Sequence, residues 1–317
     1  MFKDKCIIFD VDGVLIDTRF SYIRAIKKTV KYIVRYCFPA HSSNFLVTND
    51  MIFNFRQSGK FNNDVDTAYA LSLTIICHPS TISDLPSFIT EVAARATYGG
   101  IRSVEDYLSA INPKQLDFIK RKLKYPNRIT ETIVSRIFDE YFYGPMLFRK
   151  RYGINAEHYF GKPLIQYDRR IITRVSIRKI SNLFSGKLAI ITGRSKLASE
   201  YSLGDMYPMF SQQASFYLED EKRSLGKPNP HALRNALEVF SCKEGFYVGD
   251  SPEDLIMCKN LNCTKGFDIK FIGVYGAAVH PRRIKEYFLG QNCPVVKNVN
   301  ELSNIIYKVN SNFKDAQ

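Results

Sequence analysis

Five short apolar runs, each closed by a polar loop, punctuate the two ends of the chain: 5–10 (KCIIFD), 187–192, 214–218, 245–248 and 270–274. Continuous apolar runs of this length are what strands covered on both faces require. Between most of them, as over 230–240 and 252–261, apolar residues recur at helical spacing. Strands alternating with helices predict an α/β fold, a doubly wound Rossmann-like parallel sheet.

The middle of the chain has a different texture. Residues 18–161 show no such alternation but carry helix-length segments with apolar positions three and four apart. Phe20, Ile23, Ile26, Val30, Ile33 and Val34 form one stripe, opposite Arg24, Lys27, Lys28, Lys31 and Arg35. Breaks at Pro39, Pro79, Tyr98-Gly99-Gly100, Pro113 and Pro126 divide the segment into about six helices. The expected organisation is a core of 1–17 and 162–317, with a mainly α-helical domain, 18–161, inserted after the first strand.

Composition narrows the function classes. With 317 residues, 45% of them hydrophobic, the chain can bury substantial cores, which excludes disorder for most of it. Lys and Arg number 45 against 31 Asp and Glu, a formal charge of +14 that favours anionic partners. No run of 18 uncharged apolar residues occurs, and carboxylates interrupt the N-terminal region, so a soluble cytoplasmic protein with no membrane partner is expected. Seven cysteines and five histidines are scattered without ligand spacing, which argues against a zinc site or a disulfide framework.

In an open parallel sheet, ligands bind beyond the carboxyl ends of the strands. The residues there are Asp10-Val11-Asp12-Gly13-Val14, Thr192-Gly193-Arg194 and Gly249-Asp250-Ser251-Pro252-Glu253-Asp254, with Lys227 before a helix that Pro230 can start. Up to four carboxylates, Asp10, Asp12, Asp250 and Asp254, would converge, and such a cluster needs cations. Lys227 offers one positive charge, and an oxygen-only ligand set suits Mg²⁺ sharing its last positions with a phosphoryl group. Asp10 can attack phosphorus to form an aspartyl-phosphate, while Asp12 can protonate the leaving oxygen and later deprotonate the attacking water. The Thr192 hydroxyl and the backbone around Gly13 and Gly193 can bind phosphoryl oxygens, the glycines allowing close approach.

The ordered set DVDGV, ITGR, LGKPNP and GDSPED resembles the four motifs of the haloacid dehalogenase-like hydrolase superfamily. The resemblance covers the core and implies Asp10 as nucleophile and Mg²⁺ ligand, and Asp12 as acid/base with its backbone carbonyl on the metal. It further implies Thr192 as phosphate-binding hydroxyl, Lys227 as stabilising lysine, Asp250 as ligand, and Asp254 as ligand or as orienter of metal-bound water. The helical insertion is similar to the caps that members carry after the first motif. Aspartate two residues after the nucleophile favours phosphate esters over carbon–halogen bonds, because a halide leaves without a proton.

The expected activity is a Mg²⁺-dependent phosphatase acting on a small anionic phosphorylated metabolite. A phosphomutase uses the same motifs; a phosphonate hydrolase, a nucleic-acid end phosphatase and a non-catalytic binding module rank below it. A polymer such as nucleic acid would be obstructed by a large cap, and a homo-oligomer stays open. Arg56, Lys60, Asn63 and Asp66 of the inserted domain are candidate substrate-binding residues, with helix capping the rival reading for Asn63 and Asp66. Arg194 is a candidate for gripping phosphate, with pairing to a core carboxylate or simple exposure as its alternatives. Asp17 reads as a helix cap at the domain junction, with a catalytic role as its rival, and His231 as a surface residue, with a general base as its rival.

Overall fold

The computed structural model describes residues 2–41, 45–57, 61, 63–79, 84–96 and 99–311. The chain divides into two compact units, 1–19 with 168–317, and 20–167. The junctions fall two and six residues beyond those expected.

The first unit is built on a six-stranded parallel sheet. Its strands are β1 (Lys5–Phe9), β2 (Leu188–Thr192), β3 (Phe216–Tyr217), β4 (Glu244–Gly249), β5 (Asp268–Val274) and β6 (Val295–Val296), in the spatial order β3-β2-β1-β4-β5-β6. β1 is central, with Ile7 opposite Leu188 on one side and Phe246 on the other. Its side chains alternate between two cores, as the pleat requires. Ile7 and Phe9 join Ile177 and Ile180 of α8 (Arg174–Leu183), Leu203 of α9 (Lys196–Leu203), and Leu302 and Ile306 of α13 (Leu302–Ser311). Cys6 and Ile8 join Leu233 of α10 (His231–Val239), Leu255 of α11 (Pro252–Asn262) and Phe288 of α12 (Pro281–Gly290). Helices on both faces explain why the strand sequences are apolar without alternation. The predicted α/β class is the one observed. The seven cysteines are free thiols, five of them buried.

The second unit is helical. Among the described residues it holds α1 (Tyr22–Tyr32), α2 (Asn49–Gln57), α3 (Asp64–Ile76), α4 (Leu85–Arg95), α5 (Ile101–Ile111), α6 (Pro113–Leu123) and α7 (Ile133–Tyr152). The anticipated stripe on α1 is buried at Ile26 and Val30 and continues through a π-helical turn, Ile33–Cys37, while Arg24, Lys28, Lys31 and Arg35 are exposed. Phe20 alone of that stripe is exposed, because the helix begins only after it. Glu140 is fully buried on α7, and its carboxylate accepts the backbone N–H groups of Glu157 (3.0 Å), His158 (2.6 Å) and Tyr159 (2.9 Å), anchoring the segment after the helix. No helix among the described residues is long and apolar enough to cross a membrane.

Candidate active site

β1 delivers its last backbone hydrogen bond through Asp10, whose N–H donates to the Val248 carbonyl at 2.9 Å. The chain then turns back on itself: the N–H groups of Leu15 and Ile16 donate to the Val11 carbonyl at 2.8 and 2.9 Å, and Gly13 sits at φ +74°. That left-handed value suits glycine, and the missing side chain matters as much as the angle. A Cβ at Gly13 would stand 1.9 Å from Asp250 Oδ2.

Asp250 follows β4, and the next residues start α11 with a reciprocal cap. Ser251 Oγ accepts the Asp254 N–H at 3.3 Å, while Asp254 Oδ2 accepts the N–H groups of Asp250 and Ser251 at 3.2 and 3.1 Å. The other carboxylate oxygen of Asp254, Oδ1, receives the Lys227 ammonium at 2.7 Å and lies 3.0 Å from the Tyr247 hydroxyl. Lys227 Nζ is also 3.1 Å from Asp10 Oδ2, and the Val11 N–H donates to Asp10 Oδ1 at 2.7 Å. Asp10, Asp250 and Asp254 each present an oxygen within 4.8 Å of the others.

The electrostatics are those of a crowded, desolvated cluster. Burial raises the Asp10 carboxyl to about 6 against the pull of Lys227, and the charge of Asp254 pushes the same way as burial. Asp250 is pushed well above the carboxylate range by burial and then by Asp10 and Asp254. Burial disfavours the Lys227 ammonium, but the charges of Asp10 and Asp254 outweigh it and hold the group above its ordinary value. Fully ionised, the three carboxylates exceed the single ammonium by two negative charges, which a divalent cation would balance. The donor set is oxygen only, which fits a hard ion such as Mg²⁺.

Thr192 ends β2 fully buried, its Oγ1 accepting the Arg194 N–H at 3.2 Å. Gly193 is exposed, with open space where a Cβ would lie. Arg194 is buried and pairs with Asp12 and Asp168. Of its alternatives, pairing with core carboxylates is the one observed, because a guanidinium at 1% exposure needs acidic partners. A cavity of about 200 Å³ beside Gly13 is lined by Asp17, Arg19, Val274, Lys297 and Asn298.

The structure thus brings together Asp10, Asp12, Gly13, Thr192, Gly193, Arg194, Lys227, Asp250 and Asp254 in the first unit. The described candidates of the inserted domain, Arg56, Asn63 and Asp66, make contacts within the second unit. Asn63 caps α3, accepting the Val65 N–H at 2.8 Å; Arg56 pairs with Asp64; Asp66 accepts the Tyr125 hydroxyl. Lys60 lies outside the described residues. Asp17 caps no helix: Ser21 occupies that position of α1, and the Asp17 carboxylate grips the Arg19 guanidinium at 2.7 and 2.9 Å. His231 is an exposed residue in the first turn of α10. Sequence reasoning missed Tyr247 and Asp168. The first carried a signal, a hydroxyl within an otherwise apolar strand; the second carried none.

No protein-family model matches the sequence, and no curated protein matches it either. Among solved structures, the chain is similar to a Northeast Structural Genomics Consortium target, with TM-score 0.67 and 17% identity over 96% of this chain and 99% of that one. It is also similar to phosphatase Tt82 from Thermococcus thioreducens, with TM-score 0.58 and 23% identity over 90% of this chain and 99% of that one. At these identities the likeness is one of fold.

Proposed function

We propose that the chain is a phosphatase of the haloacid dehalogenase-like superfamily, a Mg²⁺-dependent hydrolase of small phosphorylated metabolites that works through an aspartyl-phosphate on Asp10. The observation that carries this reading is the meeting of Asp10, Asp250 and Asp254 around one lysine at the carboxyl edge of the sheet. The order of the four motifs supports it, as does a fold shared with a protein named as a phosphatase. The cavity of about 200 Å³ beside Gly13 suits a small substrate.

In this reading, Asp10, Asp250 and the Asp12 backbone carbonyl would hold Mg²⁺. Asp254 braces them: its two oxygens already serve Lys227 and the backbone of Asp250 and Ser251. The bound ion would supply positive charge to the cluster and to the phosphoryl oxygens. Lys227 adds a fixed ammonium for the same charge, and the Thr192 hydroxyl donates to a phosphoryl oxygen. Asp10 attacks phosphorus while Asp12 gives its proton to the departing ester oxygen. Asp12 then takes a proton from the water that cleaves the aspartyl-phosphate.

The test is free phosphate release from phosphorylated sugars, glycolate, glycerol, nucleotides and p-nitrophenyl phosphate, with Mg²⁺ or EDTA, for wild type and Asp10→Asn. Release that needs Mg²⁺ and falls by at least about 1,000-fold in Asp10→Asn is expected. A folded wild type that releases phosphate from none of them overturns the reading, and conversion of a sugar phosphate to its isomer without release identifies a mutase.

A further inference from the structure

We propose that Arg194 is a positioning residue that holds Asp12 for proton transfer to the leaving group, an inference that rests on the phosphatase reading above. Arg194 directly follows the Thr192-Gly193 end of β2 and has the largest side chain among the fully buried ones described. A guanidinium taken out of water needs carboxylates around it. Here it forks between two: Nη1 donates to Asp12 Oδ1 at 3.1 Å, and Nη2 donates to Asp168 Oδ2 at 2.7 Å. Ser202 Oγ closes the arrangement, 2.6 Å from the same Asp168 oxygen and 3.3 Å from Nη2.

The two carboxylates differ in a way that assigns their roles. The Asp168 side chain is 3% exposed and takes the shorter bond, whereas the Asp12 side chain is 34% exposed and takes the longer one. Asp168 and Ser202 therefore anchor the guanidinium from behind, and its rigid plane orients Asp12 in front. Because the guanidinium charge is shared with Asp168, Asp12 is oriented without being held in a private ion pair. The same residue braces the phosphate side, through its N–H to Thr192 Oγ1. In the first step an Asp10–phosphorus bond forms as the phosphorus–ester oxygen bond breaks, and the Asp12 proton ends on that oxygen. In the second step, water oxygen bonds phosphorus, the Asp10–phosphorus bond breaks, and a water proton returns to Asp12.

The experiment reads leaving-group dependence. A nitrophenolate departs without a proton, whereas an alkoxide does not, and kcat/KM covers the steps through departure of the leaving group. For Arg194→Lys, whose ammonium cannot fork between two carboxylates, kcat/KM on the best alkyl phosphate of the panel should fall at least about 10-fold further than on p-nitrophenyl phosphate. Asp12→Asn should show the same selective loss, larger, and Asp168→Asn the same, smaller. Equal losses on both esters, or no loss, in folded Arg194→Lys and Asp168→Asn overturn the proposal, as does an Asp12→Asn variant without selectivity. Should Arg194→Lys not fold, as judged by circular dichroism, Asp168→Asn decides alone. A wild type that hydrolyses neither ester overturns the phosphatase reading itself, and this inference with it.

Discussion

Gly13 and Asp250 occupy space that leaves no room for a methyl group at position 13: a Cβ there would meet Asp250 Oδ2 at 1.9 Å. The backbone at Gly13 is also left-handed, φ +74°. Gly13→Ala therefore carries two penalties, about 1–2 kcal/mol for the conformation and a displacement of the Asp250 carboxylate. Urea denaturation should show the loss of stability. Titration calorimetry with Mg²⁺ should show weaker binding than in wild type.

Asp250 faces two other carboxylates in a desolvated cluster. Asp250→Asn removes a carboxyl whose ionisation burial and its neighbours oppose, so in EDTA at neutral pH its melting midpoint should lie above that of wild type. Mg²⁺ should reverse the order. At about 100 times Kd the ion stabilises wild type by about 2.7 kcal/mol, and the variant should gain little of this. Differential scanning fluorimetry with and without Mg²⁺ reads both outcomes.

Lys227 bridges Asp10 and Asp254 at 3.1 and 2.7 Å. Lys227→Met leaves two buried carboxylates without their ammonium, and breaking a buried pair in this way costs about 3–5 kcal/mol. Phosphate release should fall at least about 100-fold, as when one transition-state donor is removed elsewhere. Equilibrium unfolding and the phosphate assay measure the two effects separately.

The helical unit offers a prediction independent of any activity. Glu140 gathers three backbone N–H groups from Glu157, His158 and Tyr159, together with the Arg136 guanidinium at 3.1 Å. Glu140→Ala strands all of these, and a loss of about 3–5 kcal/mol is expected in chemical denaturation. Glu140→Gln, which keeps an acceptor, should lose less.

How legible these features were depended on the distance over which each is decided. The apolar runs marked β1 to β5, because strands buried on both faces need no partner to announce them. β6 escaped notice: Val295–Val296 is too short for a period to show. The acidic and glycine residues of the site were readable because a parallel sheet puts every strand's carboxyl end on one edge. The Arg194–Asp168 pair was not, since it joins positions 26 apart that no helical or strand period relates. The partners of Arg56 and Asp66, Asp64 and Tyr125, were not legible either, since the Asp66–Tyr125 contact joins distant positions and the Arg56–Asp64 pair falls within no single helix.

The central place of β1 has a consequence for biosynthesis. The strand that leads into Asp10 is made before the helical unit, yet both of its neighbours, β2 and β4, are made after it. A nascent chain can complete the contiguous helices while Cys6 to Phe9 still wait for pairing partners. Contacts of such long sequence separation form slowly. During that interval an apolar strand with two open edges needs shielding, as by the ribosome surface or a chaperone.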